Sequence, residues 1–260
     1  MTQLQELFAR CREEERAALI GYLPVGYPDV DTSVQAMVAM VEAGVDAVEI
    51  GIPYTDPGMD GPVIQVAVDA ALRAGTRVRD VFDAVRTVSA TGAATLLMGY
   101  WNPIEKYGPA RFAGDLKAAG GAGAITPDLV PEEAARWVEA AREHDLDTVF
   151  LVAPSSTDAR IDVVGKVARG FVYAASTMGV TGTRQAVGNR AEELVARTRA
   201  LTDVPVAVGL GVSDGDQAAE VARFADGVIV GSALVRALGD GGVDAVRTLA
   251  ADLADGVRRR

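Results

Sequence analysis

The chain has one cysteine, Cys11, and one histidine, His144, in 260 residues. A single thiol supports neither a disulfide framework nor a thiolate metal cluster. A single imidazole leaves a histidine metal site without its other ligands. It also leaves no nucleophile–base pair for a Ser–His–Asp mechanism, because no candidate serine accompanies His144. Bases are scarce relative to acids, 25 against 36, for a formal net charge of −11. That balance argues against nucleic acid and against anionic membrane surfaces as partners. No apolar run approaches the ~18 residues of a membrane helix. The opening MTQLQELFARCREEERAALI lacks the basic start and cleavage pattern of a signal peptide and has the pattern of an amphipathic helix. The expected location is the cytoplasm.

Apolar material is plentiful, at 49% of residues. It falls into eight short runs: Leu19–Leu23, Ala47–Ile50, Thr95–Met98, Ala122–Thr126, Thr148–Val152, Phe171–Ala174, Val206–Val208 and Gly227–Val230. Each is followed by a helical pattern, which marks strands buried on both faces of a parallel sheet. Eight strand–helix units imply a closed barrel, where an open doubly wound sheet would usually have five or six strands. The expected fold is therefore α/β: one (β/α)8 TIM barrel over residues 1–260, with an N-terminal helix and extra short helices in the rim loops. Asp31 or Thr32 is the expected cap of a helix through Glu42, with Gly44 ending it. Pro131 with Glu132 and Glu133 opens another helix. Asp158, Asn189 and Asp214 are expected to cap three more. The last helix should run from about Ala233 to Val257, with a break near Gly239–Gly242.

Chemistry in such a barrel sits at the C-terminal ends of the strands. The stretch from Val48 to Gln65, VEIGIPYTDPGMDGPVIQ, ends a strand there. Glu49 lies inside an apolar run, where a carboxylate is costly to bury. Catalysis is one reason to keep it. Glu49 and Asp60 are then a working pair at one end of the barrel; the alternative is a buried, hydrogen-bonded structural Glu beside a turn Asp. VGLGVSDGDQ and VIVGSALV end the seventh and eighth strands, and both should present free backbone N–H groups at helix starts. Neither holds Lys or Arg, so backbone amides and Ser232 would have to hold a phosphate in loops seven and eight. Loop six, Ser176 to Asn189, is rich in glycine and is either a lid or a disordered connection. The lid is favoured because it leaves a strand carrying Tyr173 beside the phosphate loops, and Thr181 and Gly182 would reach the ligand on closure. Tyr22, Tyr100 and Tyr173 share a rim with Ile125, Leu151 and Leu210, a lining suited to a flat apolar ligand or else ordinary barrel packing. Trp101 fills space behind its loop. His144 falls at the opposite end of a strand–helix unit.

With these motifs in place, the chain resembles the tryptophan synthase alpha subunit family over nearly its whole length. GYPD (Gly26–Asp29), VEIGIPYTDPGMDGPVIQ, LMGYWNPI (Leu97–Ile104), TPDLVPEE (Thr126–Glu133), STMGVTG (Ser176–Gly182) and DGVIVGSALV (Asp226–Val235) carry the resemblance. It implies retro-aldol cleavage of indole-3-glycerol phosphate to indole and glyceraldehyde 3-phosphate. Glu49 matches the general acid/base and Asp60 the carboxylate that binds the indole N–H. Gly182, Gly211, Gly231 and Ser232 match phosphate binders, while Tyr100, Leu151 and Tyr173 match the indole pocket. Thr181 matches a lid residue that meets Asp60. The resemblance also implies an alpha2beta2 heterotetramer, in which pyridoxal phosphate belongs to the beta subunit and this chain carries no cofactor or metal. Pro53, Asp56, Asn102 and Asp128 would face that partner. Two departures stand out: Leu210 replaces a frequent aromatic, and Thr177–Met178 replace a basic residue.

Two rival readings remain at this level. One is another phosphate barrel, such as a sugar-phosphate epimerase or indole-glycerol phosphate synthase; these use metal-binding histidines or a strand lysine, which the eight runs lack. The other is a non-catalytic barrel that only binds a beta-type partner, against which Glu49 and Asp60 count.

Overall fold

All eight apolar runs are strands, and each pairs in parallel with its neighbour in chain order until β8 returns to β1 and closes the barrel. The strands are β1 (Ala18–Pro24), β2 (Ala47–Gly51), β3 (Ala94–Met98), β4 (Gly123–Ile125), β5 (Asp147–Val152), β6 (Val172–Ala175), β7 (Val206–Gly209) and β8 (Gly227–Val230). The helices are α1 (Gln3–Glu13), α2 (Val30–Glu42), α3 (Pro62–Arg73), α4 (Val78–Ser89), α5 (Trp101–Tyr107) and α6 (Pro109–Ala118). They continue with α7 (Ala135–Glu143), α8 (Asp158–Val167), α9 (Arg184–Arg199), α10 (Gly215–Ala222) and α11 (Ser232–Val257). The computed structural model describes residues 1–175, 184–209 and 211–259.

Alternation along the strands sorts the side chains. Ile20, Leu96, Ile125, Val149, Phe171 and Ile229 point inward and fill the barrel. Leu19, Val48, Leu97 and Val208 face the helices. The inward set continues into α1, whose apolar residues at 4, 7, 8 and 11 make one helical stripe. Leu4, Leu7, Phe8 and Cys11 pack into the inner cluster, with the Phe8 and Phe171 rings 5.8 Å apart. A capping box between Thr2 and Gln5 starts this helix. α1 therefore plugs the N-terminal mouth of the barrel and leaves the C-terminal rim as the open face.

Several helix starts differ from expectation. The cap of α2 is Asp29, in extended backbone, whose carboxylate accepts from the Thr32 N–H at 2.8 Å. Asp31 is in the first turn, and the Thr32 hydroxyl donates to Asp29. Thr157, not Asp158, caps α8. Asn189 lies inside α9, which begins at Arg184. Pro131–Glu133 form one 3-10 turn, and α7 starts only at Ala135. Asp214 does cap α10, accepting from Gln217 N–H, and α11 kinks at Gly242 (φ 67°) as expected.

Candidate active site

Glu49 stands in register with Tyr22 of β1 and Leu96 of β3. It is completely buried, and neither carboxyl oxygen has a hydrogen-bond partner among the described residues. Burial alone pushes its carboxyl from the ordinary 4.5 up to about 8. Among the described residues, the hydrogen-bonded structural alternative lacks the bonds it requires. A group in this state can carry a proton near neutral pH and release it to a basic atom placed beside it.

Asp60 arrives by a different route. After Gly51 the chain turns through Pro57 and Gly58, where the Asp60 N–H bonds the Pro57 carbonyl at 3.1 Å. The Gln65 side chain, from the first turn of α3, ties the loop by donating to the Asp60 carbonyl at 2.9 Å. The Asp60 carboxylate accepts from the Tyr100 hydroxyl at 3.0 Å, and that hydroxyl accepts from the Met59 N–H at 2.9 Å. Burial raises the Asp60 pKa, and the Tyr100 hydrogen bond partly offsets the rise. Tyr100 is held at the start of α5, where the Trp101 N–H donates to Asp128 at 2.8 Å and the Tyr54 and Tyr100 rings lie 5.2 Å apart. Trp101 is half-buried and packs against the core, as a space-filling role requires.

Tyr22, Asp60 and Tyr100 line one cleft with Ile52, Met98 and Pro127. Tyr173, on β6, lays its hydroxyl against Gly209, where an added Cβ would come within 2.5 Å. Burial first, then the charges of Glu49 and Asp60, keep both Tyr22 and Tyr173 protonated. The four polar groups therefore share one field at the top of the barrel. Ile125 is fully buried in the inner cluster beneath, and Leu151 packs on that cluster. Thr181, Gly182 and Leu210 lie outside the described residues, as do the Thr177–Met178 pair and residues 176–183 of the expected lid.

The two glycine turns are not alike. Gly211 has φ +69°, and no heavy atom of a described residue lies within 4 Å of where its Cβ would be. The helix start behind it is occupied, however. Gly215 N–H donates to Asp252 and Gln217 N–H to Asp214, at 2.7 and 2.8 Å. The expectation of two free helix starts is corrected to one. The start of α11 has Gly231 at its cap position with no side-chain cap among the described residues, so the N–H groups at Ser232 and beyond are left uncapped by them. An anion would meet main chain at Gly211 together with that single helix terminus.

His144 ends α7 next to Gly114 of α6 and precedes β5, at the end of the barrel away from the cleft. Among the described residues no group of His, Cys, Asp and Glu is arranged to hold a metal ion. No described helix is long and apolar enough to cross a membrane. Sequence reasoning missed the Tyr100–Asp60 bond, since nothing local links two residues on separate loops.

This architecture has close counterparts. The family model for the tryptophan synthase alpha chain matches residues 8–256. A tryptophan synthase alpha chain from Mycolicibacterium paratuberculosis is 60% identical over 259 residues, covering 100% of this chain and 96% of that one. The Nocardia farcinica alpha chain is 58% identical, covering 99% of this chain and 96% of that one. The crystal structure of Mycobacterium tuberculosis tryptophan synthase in its aminoacrylate-bound form superposes with a TM-score of 0.93 at 54% identity, covering 99% of this chain and 100% of that one. Tryptophan synthase subunit alpha from Legionella pneumophila, at 30% identity and full coverage of both chains, still superposes with a TM-score of 0.92. The chain belongs to the tryptophan synthase alpha chain family.

Proposed function

We infer that residues 1–260 work as a single barrel domain and cleave indole-3-glycerol phosphate to indole and glyceraldehyde 3-phosphate. The chain is a carbon–carbon lyase of tryptophan biosynthesis, the alpha subunit of an alpha2beta2 synthase that passes indole to its beta subunit. One observation carries the catalytic assignment: Glu49 is fully buried, has no hydrogen-bond partner among the described residues, and has its carboxyl raised to about 8.

The chemistry follows from that state. Glu49, protonated, delivers its proton to the ring carbon that bears the side chain. The ring becomes a cation with its charge at nitrogen, where Asp60 accepts the N–H and stabilises it. Glu49, now a carboxylate, takes the proton of the neighbouring side-chain hydroxyl. The C–C bond breaks, its electrons return to the ring, and the aldehyde forms, leaving Glu49 protonated as it began. Tyr100, Leu151 and Tyr173 wall the ring over Ile125, and Leu210 adds to the lining. Main chain at Gly211, Gly231 and Gly182 holds the phosphate with Ser232, and Thr181 closes on Asp60. This route needs neither cofactor nor metal on this chain, and pyridoxal phosphate is assigned to the beta subunit. Pro53, Asp56, Asn102 and Asp128 are assigned to the partner-facing rim, where Met59 and Val66 are also exposed. The cytoplasm is the compartment that fits a biosynthetic enzyme of this composition.

The test is direct. Incubation of the purified chain with indole-3-glycerol phosphate, alone and with a beta subunit, should release indole. No indole under either condition would leave the epimerase or the purely binding reading in its place.

A further inference from the structure

Tyr22 occupies the space between the two halves of the site. Its ring base lies against loop eight: a Cβ added at Gly231 would sit 3.4 Å from Tyr22 Cδ1. Its far end lies against β2, where a Cβ added at Gly51 would collide with the hydroxyl and the adjoining ring carbons. The side chain thus runs from the proposed phosphate grip toward the carboxylates, in register with Glu49 and in one cleft with Asp60. Tyr22 is 6% exposed and lines the cleft, and no hydrogen bond joins its hydroxyl to another described residue. A tyrosine hydroxyl that faces a cleft without a protein partner is open to a ligand there. Burial and the two nearby carboxylates keep it protonated, so it is available as a donor. The ligand's three-carbon chain, with two hydroxyl groups, must cross this same gap between ring and phosphate.

We propose that the Tyr22 hydroxyl hydrogen-bonds a hydroxyl of the ligand's glycerol chain and selects for hydroxylated over plain alkyl side chains. The inference rests on the lyase reading above and gives Tyr22 a role in addition to lining the pocket. A site with a donor waiting for a substrate hydroxyl discriminates against an analogue that lacks it.

The experiment compares wild type with Tyr22→Phe, which keeps the ring and removes only the hydroxyl. Two ligands are used: indole-3-glycerol phosphate as substrate and 3-indolylpropyl phosphate, which lacks both hydroxyls, as competitive inhibitor. The variant should lose about tenfold in kcat/KM for the substrate. Its inhibition constant for the propyl analogue should be unchanged. An equal weakening for both ligands would overturn the proposal and make Tyr22 a packing residue. An unchanged kcat/KM would overturn it as well. A wild-type protein that neither turns over the substrate nor binds the analogue would instead remove the lyase reading, and this inference with it.

Discussion

The Tyr100 hydroxyl links Asp60 to the backbone of the same loop: it donates to the Asp60 carboxylate at 3.0 Å while accepting the Met59 N–H at 2.9 Å. Loop three thereby fixes the orientation of an acid carried by loop two. The bond also opposes the effect of burial on Asp60, favouring its ionised form.

Tyr100→Phe removes that support. The Asp60 pKa should then rise further, so that less of it is ionised at a given acidic pH. The acid limb of the kcat/KM profile for indole-3-glycerol phosphate should move to higher pH, and kcat/KM at neutral pH should fall by about tenfold. A profile identical to wild type would detach Tyr100 from Asp60 function.

Glu49→Gln gives two expectations with separate readouts. Turnover should fall by about 10²–10⁴-fold while ligand still binds, because the proton donor is lost and the volume is kept. Stability should respond through pH. The Glu49 carboxyl is raised from 4.5 to about 8 in the folded chain, so the unfolded chain ionises first as pH rises. Its stabilising contribution is present in full below about 4.5 and is lost as pH climbs through about 8. Gln does not titrate and has no such loss. The unfolding temperature of wild type should therefore fall relative to Glu49→Gln between pH 5 and pH 8, by about 5 °C. The unpaired amide imposes a constant offset that cancels in this comparison. Parallel curves would mean that Glu49 is ionised or paired in the folded protein.

These relationships differ in how far the sequence exposed them. The strands were legible because each is a near-continuous apolar run, and Glu49 was legible as the charge that interrupts one of them. Helix starts were harder, since Asp29, Asp31 and Thr32 all have capping side chains and only the extended backbone of Asp29 decides among them. Thr157 and Asp158 pose the same choice one residue apart. The contacts that shape the site are set by neither period nor motif. Tyr100 reaches Asp60 across 40 positions of sequence, and Asp252 closes the start of α10 from 37 positions away. Only the folded barrel brings those loops and helix ends together.

Gly211 tests the proposed anion site without touching the acids. Its φ of +69° suits glycine, and no described residue comes within 4 Å of where a Cβ would project, so a side chain there meets backbone strain without a clash against the described residues. Gly211→Ala should cost about 1 kcal/mol of stability and weaken phosphate ligands only slightly. Gly211→Asp adds a negative charge at the proposed phosphate site. Repulsion of roughly 1–2 kcal/mol at a partly solvated distance corresponds to about tenfold weaker binding. Titration calorimetry with glycerol 3-phosphate should show that loss for Asp beyond the loss for Ala, and added salt should shrink the difference. Equal affinities for the two variants would place the phosphate away from loop seven and leave the uncapped start of α11 to hold it alone.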